Sequence, residues 1–224
     1  MNSIQKEISK YLSCLSPAYA PIKNECEQFI SYYSKIDNDF YCDEKGNALS
    51  FLERLCIGHN PCLDKDCYMF TINKGIDPVW INKFYDRTNI SIPKIYSDFL
   101  FEMNGCDLFD MLLDGITLLG LRSKIYYKAD CKLYMVFDLE AANTKNREDK
   151  RWCQNFYNGF HIGSRSANYQ DILVGYFIVD DKIITASHGG HIENKYNNFT
   201  DFLSNEIKMA KEFFEKCQFK HEVQ

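Results

Sequence analysis

Cys56, His59, Cys62 and Cys67 stand two, two and four residues apart, and thiolates and an imidazole at such short separations can close a tetrahedral zinc site. Structural zinc sites usually split their ligands into two pairs across a longer loop. Cys56 also fits an apolar stripe that needs no metal, so free thiols are the competing reading. His188 and His191 bracket Gly189-Gly190; two imidazoles on a flexible turn suit metal ligation or general-base work, and equally a plain surface turn. With ten cysteines present, a Cys–His pair suited to hydrolysis arises easily by chance. The sequence shows no Ser-centred nucleophile elbow, phosphate-binding Gly-rich loop or zinc-protease helix. The expectation is a protein that is not an enzyme and uses no cofactor, with a zinc-binding protein or a Cys/His hydrolase as the alternatives.

Charge points to binding instead. Between Lys94 and Arg122 the chain carries Asp98, Glu102, Asp107, Asp110 and Asp114 and no basic residue. Asp138, Glu140, Asp180 and Asp181 add to these. An acidic face speeds encounter with a basic protein partner and rejects wrong ones. Aromatic anchors supply the energy at such surfaces, and Trp152, with Phe156 and Tyr157 beside a charged loop, is placed for that role. The competing reading is a solvated face that keeps the protein soluble, with those aromatics in the core. Nucleic acid is a poor partner for this chain. Its formal net charge is −5 and it has no basic run, whereas phosphate binding draws its affinity from Lys and Arg.

The 224 residues fit one generous domain, or a domain with an extension, and bury enough surface to fold without staples. Hydrophobic residues make up 46% and aromatic ones 15%, a share that argues for burial and against disorder. Met1 to Ala20 is polar and mixed, unlike a secretion signal, and no stretch approaches the roughly 20 apolar residues that cross a bilayer. The expectation is a cytoplasmic protein with free, mostly buried thiols and no membrane contact; its oligomeric state leaves no trace in the sequence.

The elements that must position these residues follow from periodicity. Ile4, Ile8 and Leu12, then Ile22, Cys26, Phe29, Ile30 and Tyr33, mark two helical faces. Ala48, Phe51, Leu52, Leu55 and Cys56 read as a third helix, capped near Gly58, so residues 1–75 read as an N-terminal helical extension. Asp77-Pro78 starts a helix to about Arg87, with Val79, Trp80, Phe84 and Tyr85 inward. Another opens at Pro93, buries Tyr96, Phe99, Leu100 and Met103, and stops at Asn104-Gly105. Strands are expected at 116–121, 125–127, 132–137, 160–163, 172–179 and 183–187, with a tight hairpin at Asp180-Asp181. The segment 140–151 reads as a loop or an exposed helical turn. Asn198 caps a closing helix with the stripe Phe199, Phe202, Leu203, Ile207, Ala210, Phe213, Phe214 and Cys217. Helices, then hairpin-linked strands, then a helix: the order predicts an α+β fold with a largely antiparallel sheet.

Several of these signatures resemble the SUKH superfamily, which includes bacterial toxin-immunity proteins and fungal regulators of cell-wall glucan synthesis. They are Ile92-Pro93, Tyr96, Phe99-Leu100 and Asn104-Gly105; then Leu118, Leu119 and Gly120; then Ile162-Gly163 and the strand 172–179; and finally Phe199, Phe202 and Leu203. The resemblance covers about residues 76–216, within a SUKH-like α+β domain at 76–224. It implies a protein-binding module that inhibits a toxin or regulates cell-wall synthesis by occluding a partner, and it implies no catalytic residues.

Overall fold

The structure, a computed structural model, describes residues 3–30, 54–59, 68–111, 114–121, 139–144, 159–167, 172–187 and 189–221. In chain order the elements are α1 (Ser3–Cys14), a short 3-10 turn (Pro17–Tyr19), α2 (Ala20–Phe29), β1 (Arg54–His59), β2 (Tyr68–Lys74), α3 (Val79–Thr88), α4 (Lys94–Glu102), β3 (Met103–Met111), β4 (Asp114–Leu118), α5 (Leu139–Asn143), β5 (Phe160–Ala167), β6 (Ile172–Val179), β7 (Lys182–Ser187), β8 (Ile192–Tyr196) and α6 (Phe199–His221). The class is α+β. The eight strands form one sheet in sequence order, and every neighbouring pair is antiparallel.

Register sorts the side chains onto two faces, because successive residues of a strand point opposite ways. One face carries Leu55, Ile72, Cys106, Leu118, Gly163 and Tyr176, and beside them Ile57, Phe70, Leu108, Ile116, Arg165 and Val174. Nearly all of these belong to the main core, together with Ile8, Leu12, Ile22 and Cys26 from α1 and α2, Phe99 and Leu100 from α4, and Phe202, Leu203 and Ile207 from α6. The other face carries the row Thr71, Asp107, Thr117, Ser164, Gly175 and Ala186. Next to it lies a smaller apolar cluster of Phe177, Ile184 and Ala186 with Ile192 and Val179 packed on it.

The junction of α4 with the sheet is built from the residues that carry the family resemblance. The spacing of Tyr96, Phe99, Leu100 and Met103 puts all four on one buried side. The Tyr96 hydroxyl lies 2.6 Å from the Leu119 carbonyl oxygen and 2.9 Å from that of Ile162, donating between them. The Leu119 amide also donates to Ile162 O, and the Leu121 amide donates to Asn104 Oδ1 at 2.8 Å. Gly105 adopts φ +83, and a Cβ there would sit 2.7 Å from the Leu118 carbonyl oxygen, so only glycine fits the approach of β3 to β4. Phe199 stacks on Phe99 with centroids 5.3 Å apart, and Phe202 meets Phe199 edge-on at 5.5 Å.

The expected helix caps form. Asp77 Oδ1 accepts the Val79 amide, and Asn198 Oδ1 accepts the Asp201 amide. Asp180 and Asp181, at φ +49 and +59, make the tight turn between β6 and β7; Asp is among the few non-glycine residues that tolerate that region.

Other expectations are corrected. Arg54–His59 is a strand, not the end of a helix, because Leu55 and Ile57 alternate toward the core opposite Ile72 and Phe70; residues 48–53 lie outside the described residues. The first 75 residues are not a separate helical extension. β1 and β2 belong to the common sheet, and Tyr11 donates its hydroxyl to the Glu102 carbonyl at 2.7 Å. Val79 and Tyr85 are exposed, so α3 is anchored by Phe84, which meets Phe160 edge-on. The expected strands 125–127 and 132–137 lie outside the described residues.

Candidate functional site

Of the acidic residues expected to share a surface, the three with described side chains do not share one. Asp98 and Glu102 sit on α4, on the core side of the sheet, while Asp107 sits on β3 in the opposite row. Each of the three already has a local partner. Asp98 takes both contacts from Lys94, Glu102 accepts the Ser16 amide at 2.7 Å, and Asp107 accepts the Thr117 hydroxyl at 2.8 Å. Asp110 and Asp114 belong to β3 and β4, but their side chains lie outside the described residues, as does Trp152. The change of period at Met103, from helix to strand, is what breaks the face: a run of like charges is contiguous in space only while one period holds.

For the metal candidate, Cys56 and His59 belong to β1 without described side chains, and Cys62 and Cys67 lie outside the described residues. Among the described residues no group of three or more His, Cys, Asp or Glu is placed to hold a metal ion. His188 is not described, and His191 is exposed in the turn before β8. Cys26 and Cys106 are buried free thiols, and burial pushes both far above the ordinary thiol range, which makes them packing groups and poor nucleophiles.

Two arrangements stand out that periodicity and motif spacing do not reveal. The first is a charged network inside the core. Glu206 of α6 is fully buried and accepts hydrogen bonds from Arg165 Nε at 2.8 Å and from the Tyr176 hydroxyl at 2.7 Å. Arg165 also reaches Glu193 of β8 through Nη2 at 2.9 Å. Burial works against the Arg165 charge, but Glu206, Tyr176 and Glu193 outweigh it and hold the guanidinium above its ordinary value. Burial and the same carboxylate push the Tyr176 hydroxyl well up, and they push that of Tyr196 to about 12. The available signal was positional: Glu206 interrupts the apolar stripe between Leu203 and Ala210.

The second is a groove of about 380 Å³ at one end of the sheet. Its walls are Ile90, Ser91 and Pro93 ahead of α4, Asn143 of α5, Gly159, Phe160 and Ile178 from β5 and β6, and the turn residues Asp180 and Asp181. Asn143 is fully engaged. Its Nδ2 donates to the carbonyls of Leu139 and His161 at 2.9 and 2.8 Å, and its Oδ1 accepts the His161 amide at 2.8 Å. The register shift between His161 and Gly163 is a bulge of the kind that re-aims side chains beside functional sites. His161 stacks on Phe177 at 4.7 Å, its Nε2 lies 2.9 Å from the Gly163 carbonyl, and burial lowers its pKa to about 4.

No family model, curated protein or solved structure matches this chain. What the fold itself defines is an α+β protein whose described strands form one antiparallel sheet, and among its described residues no helix is long and apolar enough to cross a membrane.

The Arg165–Glu206 pair yields a direct prediction. Truncating either partner leaves a buried charge uncompensated, so Arg165→Ala and Glu206→Ala each lose about 3–5 kcal/mol of stability. The double variant loses far less than the sum of the two; simple additivity in urea unfolding would contradict the pairing. A second prediction concerns pH. The folded pKa of His161 lies below its ordinary 6.5, so the unfolded chain takes the proton first and stability falls as pH drops from about 6.5 to about 4. That slope is at most about 1.4 kcal/mol per pH unit, and in His161→Gln it shrinks by one proton's worth. Equal slopes for the two proteins in urea titrations would contradict the assignment.

Proposed function

We propose that the protein is a non-enzymatic protein-binding module that acts by occluding its partner, in the manner of an immunity-type toxin inhibitor or a cell-wall-synthesis regulator. The observation that carries this reading is the groove beside the β6–β7 turn. It is a concave surface lined by both apolar and polar residues, as recognition sites are. Its walls come from α4's approach, α5, β5 and β6, elements held by the Tyr96 and Asn143 hydrogen bonds, so the surface is shaped before any partner arrives. The SUKH-like signatures support the reading at the level of the fold, since Tyr96, Phe99, Leu100, Asn104, Leu119 and Phe199 are all buried framework residues. The acidic stretch 98–114 gives way to this groove as the contact surface. The excess of acidic residues favours a basic partner.

Ser91→Trp places a large side chain in the groove without touching the core. In affinity purification from source cells, the wild-type protein is expected to hold one stoichiometric basic protein at low salt and to release it at high salt. Ser91→Trp is expected to lose that protein by at least tenfold in measured affinity while melting normally. Retention of the same protein at unchanged affinity would remove the groove as the contact.

A further inference from the structure

We infer that the groove accepts a lysine or arginine side chain from the partner, its stem against the apolar lining residues and its cationic head beside Asp180 and Asp181. This inference rests on the protein-binding reading of the same groove and names the chemistry that fills it. Of the lining residues, Ile90, Pro93, Phe160 and Ile178 have apolar side chains that offer no hydrogen bond. Among the polar groups in the walls, the Asn143 amide is spent on Leu139 and His161, both of its hydrogens donated and its oxygen accepting. What remains for a ligand is the Ser91 hydroxyl and the carboxylates of Asp180 and Asp181, both exposed at the turn. Those two carboxylates accept hydrogen bonds and donate none, so the complementary group is a donor with positive charge.

Among the described residues, Arg87 is paired with Glu140, Lys94 with Asp98, and Lys182, although next in sequence, forms no part of the groove's walls. A side chain with an apolar stem and a cationic head is what Lys and Arg present to a surface of this kind. A carboxylate or phosphate ligand would meet like charge at the rim, and a wholly apolar side chain would leave the two carboxylates partly desolvated without a partner.

The test uses the full-length protein and two synthetic peptides, acetyl-Ala-Leu-Arg-Ala-amide and its citrulline counterpart, which keeps the shape of arginine and lacks its charge. Backbone amide shifts are followed by NMR at millimolar peptide. The arginine peptide is expected to move the amides of Ser91, Asn143, Asp180 and Asp181, with at least tenfold weaker binding by the citrulline peptide. The Asp180→Asn/Asp181→Asn variant keeps the turn, because Asn tolerates the same left-handed backbone, and is expected to erase the difference between the peptides. Equal binding of the two peptides by the wild type, or an arginine preference that survives in the Asn variant, would overturn the cation assignment and leave the groove as a contact for other chemistry. Absence of shifts with either peptide would also overturn it, whereas the fate of the protein-binding reading is decided separately by Ser91→Trp.

Discussion

The hydroxyl of Tyr96 is the point on which the architecture turns. It is buried with no water contact, so its hydrogen must find a protein acceptor or cost the full penalty of an unmade bond. It finds two, the carbonyls of Leu119 and Ile162, which belong to the chain leaving β4 and to β5. One side chain of α4 thereby fixes where the helix crosses the sheet. The Asn104 side chain, accepting the Leu121 amide, locks the start of β3 to the same place. The close approach leaves no space for side chains at Gly105 or Gly163, where a methyl group would strike the carbonyl oxygen of Leu118 or of Thr117. The groove inherits its shape from this junction. Pro93 stands three residues before Tyr96, and the Phe160 ring lies 6.4 Å from that of Tyr96.

A second constraint binds the far half of the sheet to α6. Glu206 brings a carboxylate into the core, Arg165 and Tyr176 donate to it, and Arg165 also donates to Glu193, so three strands are tied to α6. Such a network is weak support for stability as a whole, since an apolar replacement often does as well, but it specifies register sharply. A slip of β5 by one residue would turn Arg165 to the other face and leave the buried Glu206 without a cation. Beside it the fully buried Thr185 hydroxyl is unpartnered among the described residues, a cost of about 1–3 kcal/mol. The N-terminal helices complete the same layer. Lys211 of α6 grips Glu25 of α2 at 2.9 Å, and Thr200 donates to the Ala18 carbonyl.

Legibility in the sequence followed the physics of each signal. Caps announce themselves locally, so Asp77 and Asn198 were readable, as was the Asp180-Asp181 turn, and the α6 stripe was long enough to be unambiguous. β1 passes for helix in the sequence because six residues cannot separate a period of two from one of 3.6 when Leu55, Cys56 and Ile57 are all apolar. β8 has polar Glu193, Asn194 and Lys195 exposed at the sheet edge, a composition that carries almost no strand signal. The candidate site suffered most. Asp98 and Glu102 fall on the helix side of the sheet and Asp107 on the other, whereas the groove joins Ser91, Asn143, Phe160 and Asp180 from four separate parts of the chain. A site assembled by tertiary contact leaves only its turn residues visible in advance.

The claim that the Tyr96 hydroxyl organises the α4–sheet junction is tested most directly by urea unfolding of Tyr96→Phe alongside Asn104→Ala and the double variant. The account predicts that Tyr96→Phe loses about 1–3 kcal/mol, with an unchanged dependence on urea and measurable coupling to Asn104. A Tyr96→Phe protein as stable as the wild type, or losses that simply add, would contradict it.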